Sequence, residues 1–377
     1  MRVLLLYPYP HHKRMMTNLS LLLHEAGIYN DVICVRNFSF THNSDISYRF
    51  VLIVRIIQLA TRIPRRFWKL GIPLLSPHLM RILFSLYDKV DIHAFNGENI
   101  IWAKKCKDWH IKYDITLWGS EVLRASDQNI LNLEWGYKEA NSIRGIEKML
   151  NRLSNIFNRK FDNKMYRVYF GNTNYDLIDN ISYEQAYSIS TNLGIKIPRK
   201  LTITCGYNGL PQQQHDIMIE VLQKLPSHIK ERINVVVPMT YELNEPYYHD
   251  IKEKLDQIGV TYTILKKFLN PEELATLRIC SDIVINTQTT DAFCGALQDH
   301  LYCENVVLIA DWLDYPEYDS NKVFYIKTSK EELYSNTLFA IEHFEELKRR
   351  TLSNKEILRS LTSWENVLPG WKKAMDA

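Results

Sequence analysis

Two aspartates eight positions apart lie where a buried strand gives way to a helix. The segment DIVINTQTTDAFCGALQDHLYCENVVL, residues 282–308, has an apolar run ending at Asn286, then a polar loop and a helix-like stretch. Asp291 precedes that helix, and Asp299 lies about two turns into it. The start of a helix offers unpaired backbone amides and the positive end of a dipole, which suit a phosphate group. The spacing therefore predicts a phosphate site flanked by two carboxylates that can accept hydrogen bonds from sugar and ribose hydroxyls.

Strands and helices alternate along most of the chain. Short apolar runs predict two series of strands, at residues 3–7, 31–35, 91–95 and 114–117, and at residues 201–205, 233–238, 261–265, 282–286 and 306–310. Helix-like stretches separate them, and residues 141–167, rich in Lys, Arg and Asn, are also predicted to form a helix. Such alternation predicts parallel sheets covered on both faces. We therefore expect an α/β protein with two Rossmann-like domains facing each other across a cleft that holds the active site.

The break between the two series sets the predicted domain boundaries. Residues 1–194 are predicted to form an N-terminal domain, and residues 195–350 a C-terminal domain. Residues 195–200, which include Pro198, are predicted to be the linker. Residues 351–377 are predicted to form a C-terminal helix that packs back on the N-terminal domain.

The composition excludes several classes of protein. With 377 residues, 46% hydrophobic and 24% charged, the chain is globular and long enough for two domains. A net charge of +3 is too nearly balanced for a general nucleic-acid binder. The six cysteines form no C-x-x-C pair, and the first residues lack a signal-peptide core, so we expect a reducing, cytoplasmic location.

One basic segment does not fit this alternation of strands and helices. Residues 46–87 contain no Asp or Glu, and their arginines and Lys69 are interleaved with large apolar residues. Such a stretch is typical of a membrane-surface segment, whose apolar side chains enter the acyl boundary while basic groups meet anionic headgroups. The alternative is a core helix with a solvated basic rim. We expect peripheral attachment to the inner face of the cytoplasmic membrane, through Arg62, Arg65, Arg66, Phe67 and Trp68.

The segment of residues 282–308 resembles the E-x7-E block of retaining GT-B glycosyltransferases. Asp291 takes the place of the first acid, Phe293 that of the aromatic residue, and Asp299 that of the second acid. The resemblance implies that Asp291 is catalytic and contacts the donor sugar, and that Asp299 binds the ribose. It also implies that the amides of Phe293, Cys294 and Gly295 hold the diphosphate.

A second stretch resembles the phosphate-side loop of the same family's donor domain. The segment TITCGYNGLPQQQH, residues 202–215, is similar in sequence to bacterial fucosamine transferases that act on lipid-linked precursors. The resemblance implies donor contacts from Gly206, Asn208 and Gly209. The hydroxyl of Thr290, just before the first acid, is expected to join them, and its alternative role is turn formation.

The roles of the basic residues in the predicted C-terminal domain are inferred only from their positions relative to the predicted strands and helices. Lys266 and Lys267 follow a strand and are the nearest candidates for charge-assisted contacts to a diphosphate. The alternative is a pair of lysines pointing to solvent at the strand exit. Arg278 is expected to be a helix-surface charge.

The N-terminal half carries two weaker resemblances. VDIHAF, residues 90–95, and ITLWGSEVLR, residues 115–124, resemble the D-x-x-H and H-G-S-D segments of these enzymes. They imply catalytic roles for His93 and Glu121. Lys13 and Arg14 follow the first strand and are expected to contact phosphate on a lipid-linked acceptor. The predicted acceptor-binding residues are Lys13, Arg14, Trp118, Gly119 and Ser120.

Together these resemblances imply a glycosyltransferase in which residues 1–194 form the acceptor-binding domain and residues 195–350 form the domain that binds the nucleotide sugar. It would move a sugar from a nucleotide-diphosphate sugar to a lipid-linked saccharide in bacterial surface polysaccharide assembly, with retention of anomeric configuration. No cofactor is expected and no metal, since the chain has no loop D-x-D motif, and no nucleic-acid partner. The alternatives are a non-hydrolysing sugar-nucleotide epimerase and a catalytically silent membrane-surface scaffold with this fold.

Overall fold

The chain divides into two units. The computed structural model describes residues 1–9, 12–36, 39–42, 72–240 and 243–376. The first unit comprises residues 1–171 and 364–377, and the second comprises residues 172–363. The predicted membrane residues Arg62, Arg65, Arg66, Phe67 and Trp68 lie outside the described residues.

The first unit contains a seven-stranded sheet in the order β3-β2-β1-β4-β5-β6-β7. Only the β2–β3 pair is antiparallel. The strands are β1 (Arg2–Tyr7), β2 (Tyr29–Cys34), β3 (Ser39–His42), β4 (Lys89–His93), β5 (Tyr113–Thr116), β6 (Ile143–Gly145) and β7 (Met165–Arg167). The described helices before residue 171 are α1 (Lys13–Glu25), α2 (Ile72–Phe84), α3 (Gly97–Asp108), α4 (Ser120–Leu123), α5 (Asp127–Leu131), α6 (Glu134–Glu139) and α7 (Glu147–Ile156).

The second unit contains a six-stranded, fully parallel sheet in the order β10-β9-β8-β11-β12-β13. The strands are β8 (Leu201–Cys205), β9 (Ile233–Pro238), β10 (Thr261–Leu265), β11 (Ile283–Asn286), β12 (Val306–Ala310) and β13 (Ile326–Thr328). The helices described in this unit are α8 (Tyr175–Asp179), α9 (Tyr183–Asn192), α10 (His215–Lys224), α11 (Ser227–Lys230), α12 (Glu245–Gln257), α13 (Pro271–Cys280), α14 (Gly295–Tyr302), α15 (Pro316–Ser320), α16 (Leu333–Glu342), α17 (Phe344–Thr351) and α18 (Asn354–Thr362).

The central strands are buried and rich in apolar residues because both faces of each sheet are covered. Every residue of β9 and β12 is buried, as is β1 from Val3 onward. The α/β class and the two Rossmann-like sheets are therefore confirmed. The helix predicted over residues 141–167 is wrong: this stretch forms β6, α7 and β7. The two three-residue strands are too short to show a periodicity in the sequence.

The last helix, α19 (Trp364–Met375), returns to the first unit. Trp371 is fully buried there, and its indole nitrogen donates a hydrogen bond to the carbonyl oxygen of Tyr169 at 2.8 Å. Helix α18, in contrast, packs against α14 of the second unit. Of the predicted C-terminal helix over residues 351–377, only the part from residue 364 onward packs on the first unit.

The boundary predicted at residue 194 also differs from the division that the contacts define. Helices α8 and α9 pack against α13, so residues 172–194 belong to the second unit. The sequence does not indicate which sheet α8 and α9 cover, because both sheets offer an apolar surface to the apolar face of a short helix.

A buried ionic cluster lies under the first sheet. The guanidinium of Arg144 lies 2.9 Å from Asp91 and also pairs with Asp114, and Lys89 lies 2.9 Å from Asp114. Burial by itself would raise the pKa of Asp91, but Arg144 and His93 hold that pKa well below its usual range. Arg144 also donates to the carbonyl oxygen of Ala374 at 3.0 Å, so the cluster satisfies a backbone acceptor at the end of α19.

Candidate functional site

The second sheet has a switch point between β8 and β11. From β8 the chain moves outward through β9 to β10, and then starts again on the other side of β8 with β11, β12 and β13. The loops that leave β8 and β11 therefore start side by side at the carboxyl edge of the sheet, and the chain continues from them toward opposite edges. Open parallel sheets bind ligands at this position. Both donor segments predicted from the sequence begin here, one after each of these strands.

Hydrogen bonds join these two loops. The hydroxyl of Tyr207 donates to Gln288 Oε1 at 2.7 Å, and the side-chain amide of Gln214 donates to the carbonyl oxygen of Thr287 at 2.7 Å. The backbone amide of Thr289 donates to the carbonyl oxygen of Gln212 at 2.8 Å. The structure thus brings together the segments of residues 206–214 and 287–291, which are separated by more than seventy positions.

The loop after β8 turns at Gly206. This residue has a φ of +66°, in the left-handed region that favours glycine. The side chain of Asn208 accepts a hydrogen bond from the Leu210 amide at 2.9 Å, which closes the turn. A Cβ atom at Gly209 would lie 2.9 Å from the Cα atom of Leu243. The three donor residues predicted in this loop shape its backbone, and their donor contacts stay predictions.

Gly206→Ala is expected to destabilise the second unit more than Gly259→Ala. Gly259 has nearly the same φ, +68°, but open space around its Cα, whereas a Cβ at Gly206 would lie 2.8 Å from His215 Nε2 and 2.9 Å from Gln213 Oε1. Both substitutions lose about 1–2 kcal/mol to the left-handed backbone. Gly206→Ala should lose at least about 1 kcal/mol more, because both neighbouring side chains are buried. Urea unfolding of the two variants measures this difference, and equal losses would contradict it.

Asp291 lies at the mouth of helix α14 and is 8% exposed. Its Oδ2 atom accepts hydrogen bonds from the Cys294 amide, at 3.2 Å, and from the hydroxyl of Tyr315. Burial, together with the nearby Asp291, raises the pKa of Tyr315, so this phenol stays protonated and donates at neutral pH. Both bonds use the same oxygen, and they fix the direction of the carboxylate.

The start of helix α14 has room for a ligand. Gly295, its first residue, is exposed, and a Cβ atom there would meet nothing within 4 Å. No side-chain hydrogen bond caps the helix at Cys294. The ring of Phe293 packs 5.1 Å from that of Tyr318, and Thr290 is half-buried just before Asp291. An open helix start is compatible with an anion there, and the diphosphate contacts of Phe293, Cys294 and Gly295 stay predictions.

Asp299 is 1% exposed, and groups of the same unit surround its carboxylate. Asn172 donates to Oδ1 and Asn174 donates to Oδ2, each at 2.8 Å. Burial raises the pKa of Asp299, while Arg278, 3.5 Å away, and the two asparagines oppose that rise. In this conformation both oxygens are engaged, and the ribose contact of Asp299 stays a prediction.

Arg278 corrects an expectation from the sequence. It is 4% exposed on α13 and lies between Asp299 and His300, with its Nη1 atom 2.7 Å from His300 Nε2. The surface position predicted for it is wrong, because Asp299 compensates the buried charge. Asn172 and Asn174 were missed as well. They lie more than 120 positions from Asp299, and no local motif marks them.

The two lysines predicted at the diphosphate lie elsewhere on the sheet. Lys266 and Lys267 are exposed after β10, the edge strand two places from β8. The Lys266 ammonium lies 3.9 Å from the ring centroid of Tyr248 and 3.4 Å from Glu245 Oε2. These contacts link Lys266 to the start of α12, and the diphosphate contacts of both lysines stay predictions.

The first sheet has its own switch point, between β1 and β4. His93 ends β4 and is fully buried, with its Nδ1 atom accepting a hydrogen bond from the Trp118 indole at 3.1 Å. Its Nε2 atom lies 3.3 Å from Asp91 Oδ2, which favours the Nε2-protonated tautomer. The rings of Phe170 and Trp371 lie about 6 Å from the imidazole. His93 therefore orients Trp118, and its catalytic role stays a prediction.

Glu121 closes the turn that follows β5. Its two oxygens accept hydrogen bonds from the amides of Trp118, at 2.6 Å, and Gly119, at 3.0 Å. Gly119 has a φ of +125°, and the hydroxyl of Ser120 lies 3.5 Å from Glu121 Oε2. Burial raises the pKa of Glu121, while these backbone amides oppose that rise. The carboxylate is engaged in positioning the turn.

The predicted acceptor cations follow β1, two places from β5 in the sheet order. Lys13 and Arg14 are exposed in the first turn of α1, at the carboxyl end of β1. The ring of His12, just before them, lies 4.5 Å from the ring of Trp118. The structure thus brings the N-terminal segment and Trp118 together at one edge of the first sheet, and acceptor binding there stays a prediction.

The described ranges lack two features. No group of three or more His, Cys, Asp or Glu side chains in the described residues could hold a metal ion. None of the helices in the same part of the chain is both long and apolar enough to cross a bilayer. The expectation that no metal takes part stays a prediction.

Comparisons with known proteins establish the fold. No protein-family model matches the chain, and no curated protein matches it in sequence. A crystal structure of Anabaena Alr3699/HepE in complex with UDP and glucose matches over 100% of this chain and 99% of that chain, with 12% identity and a TM-score of 0.68. A glycosyltransferase from Rickettsia africae matches over 100% and 98%, with 13% identity and a TM-score of 0.70.

An epimerase structure also matches. A putative UDP-N-acetylglucosamine 2-epimerase from Listeria monocytogenes matches over 99% of this chain and 94% of that chain, with 14% identity and a TM-score of 0.54. At these identities the likeness establishes the fold, which is that of GT-B glycosyltransferase structures, as predicted.

Proposed function

We propose that this chain is a glycosyltransferase that transfers a sugar from a nucleotide-diphosphate sugar. The observation that carries the proposal is the fixed carboxylate of Asp291 at the open start of α14, on the switch point of the second sheet. A structural neighbour with the same fold was solved with UDP and glucose. In this chain the same kind of ligand would place its diphosphate at the helix and its sugar at Asp291.

The chemistry of sugar transfer suits this arrangement. Negative charge builds on the departing diphosphate, and positive charge builds on the anomeric carbon. The amides and dipole at the start of α14 stabilise the negative charge on the diphosphate. The carboxylate of Asp291 lies where it can bind a sugar hydroxyl next to the positively charged anomeric carbon. Because Tyr315 and the Cys294 amide fix the carboxylate, little reorganisation is needed when the donor binds.

The finer features of the reaction are part of the proposal. Retention of configuration follows from the resemblance to E-x7-E enzymes, with the leaving phosphate helping to deprotonate the acceptor. We place Asp299 at the ribose, where Asn172 and Asn174 would have to release a carboxylate oxygen. Product NMR that shows an inverted anomeric configuration would contradict the retaining mechanism.

We also propose a lipid-linked saccharide acceptor in bacterial surface polysaccharide assembly. Two observations support it: Lys13 and Arg14 are exposed at the carboxyl edge of the first sheet, and residues 46–87 carry no acidic residue. Such a segment would hold the protein peripherally at the anionic inner face of the cytoplasmic membrane.

A second candidate function is the epimerisation of a nucleotide sugar. The Listeria match favours it, because that fold holds a putative UDP-N-acetylglucosamine 2-epimerase. An epimerase converts its nucleotide sugar with no acceptor present, whereas a transferase needs an acceptor for net transfer.

The deciding experiment incubates the full-length protein with a panel of nucleotide sugars, with and without a polyprenyl-diphosphate saccharide. We expect one donor to raise the melting temperature and to yield a glycosylated lipid only when the saccharide is present. Epimer formation without acceptor would favour the second candidate, and a panel with no thermal shift would overturn both.

Flotation with phosphatidylglycerol vesicles should fall as salt rises, and salt-independent flotation or none would contradict the membrane proposal.

A further inference from the structure

Trp312 is an exposed aromatic side chain held in one orientation. It lies two residues beyond the end of β12, and 40% of its surface is exposed. Its indole nitrogen donates a hydrogen bond to the carbonyl oxygen of Gln288 at 2.8 Å. Large apolar faces in water are unfavourable, and a fixed indole also loses rotational freedom. A flat, immobile apolar face next to a ligand-binding loop is well suited to bind a ligand.

The position of the indole is set by neighbouring strands. β12 pairs with β11, with Asn286 opposite Ile309, so the loops that follow these strands lie side by side. Tyr315, three residues after Trp312, donates to Asp291 from the same loop. Two hydrogen bonds thus tie residues 312–315 to residues 288–291. They place the indole beside the segment that leads into Asp291, on the sugar side of the proposed site.

The carboxylate of Asp291 and the indole of Trp312 complement the polar rim and the apolar faces of a sugar ring. A pyranose has hydroxyls at its rim and C–H groups on its faces. The carboxylate of Asp291 can accept from a rim hydroxyl, and an indole face can pack against the C–H groups. A nucleoside diphosphate without its sugar has no such ring at this place.

We infer that the indole of Trp312 is the stacking surface for the sugar ring of the donor, and that it makes the site favour a nucleotide sugar over the bare nucleoside diphosphate. The inference rests on the proposed function, and it adds a specificity residue to the donor site. The nucleobase is a second aromatic ligand group that an indole can stack. We assign the sugar because the hydrogen bonds of Trp312 and Tyr315 run to the loop that ends at Asp291.

The test measures the affinity of the full-length protein for UDP and for UDP-glucose by titration calorimetry. Trp312→Ala is expected to weaken UDP-glucose binding about fivefold or more while UDP binding changes less than about twofold. Trp312→Phe keeps a ring and should retain most of the UDP-glucose affinity. Phe339→Ala, which removes a similarly exposed ring (42%) from helix α16, is the control and should change neither affinity.

Each result has one meaning. If UDP and UDP-glucose weaken equally in Trp312→Ala, the indole holds the nucleotide, and the inference is overturned. If neither ligand binds more weakly to Trp312→Ala, the inference is overturned as well. If the wild-type protein binds neither ligand, the proposed use of a UDP-sugar fails together with the inference. Binding of both ligands by the wild type therefore separates the two failures.

Discussion

Replacing Asp291 by asparagine is expected to lower the rate of sugar transfer about 100-fold while UDP binding changes less than about threefold. Asparagine keeps the size of the side chain, and its carbonyl oxygen can still accept from Tyr315 and the Cys294 amide. The negative charge near the developing positive charge is lost. Initial rates with saturating donor and acceptor, with UDP titration in parallel, measure the two effects.

Asp250→Asn is the matched control for this variant. Asp250 is an exposed carboxylate on helix α12 that pairs with Lys254, and it lies outside the proposed site. Its substitution should leave transfer and binding unchanged. Transfer by Asp291→Asn within about threefold of the wild type would remove Asp291 from the catalytic machinery. A large parallel loss of UDP binding would point to a damaged helix start.

The second large effect concerns the stability of the second unit. Arg278→Met is expected to lower its free energy of unfolding by about 3–5 kcal/mol, because Asp299 would keep a buried charge with no cation beside it. The double variant Arg278→Met/Asp299→Asn removes both charges and should recover part of that loss. Urea unfolding monitored by circular dichroism, with the double-mutant cycle, gives the coupling between the two side chains.

Lys252→Met tests whether burial of the ion pair causes the large loss of stability expected for Arg278→Met. Lys252 also pairs with a carboxylate, Asp256, but both side chains are exposed on α12, so the loss should be much smaller than that of Arg278→Met. A loss below about 1 kcal/mol for Arg278→Met would show that Asp299 becomes neutral or hydrated on its own. A double variant that is less stable than both single variants would contradict charge compensation as the role of Arg278.

Much of the fold could be predicted because central parallel strands leave a direct trace in the sequence. β12 is a continuous apolar run, β9 is one apart from Asn234, and helix α13 begins at Pro271 with two glutamates, a strong opening signal. β6 and β7 have three residues each, too few for a pattern to distinguish them from loops, and the four residues of β3 include only one apolar residue, Phe40. The unit boundaries were missed because they depend on which sheet α8, α9 and α18 cover.

Only those parts of the site that are contiguous in the sequence could be predicted. Asp291 precedes its helix as expected, because the loop and the helix are contiguous in sequence. Its hydroxyl donor, Tyr315, is 24 positions away and comes from the loop after the next strand. The buried position of Arg278 depends on Asp299, 21 positions away on another helix. Such pairings follow from strand order, which a single sequence does not state.

The return of α19 to the first unit has a consequence for biosynthesis. A ribosome releases residues 1–171 and then the whole of 172–363 before Trp364 emerges. Until then Arg144 and Lys89 lack the carbonyl oxygens of Ala374 and Met375, and the place of Trp371 in the core stays unfilled. The second unit, encoded without interruption, can complete its folding first, and the first unit, although synthesised earlier, is the last to close.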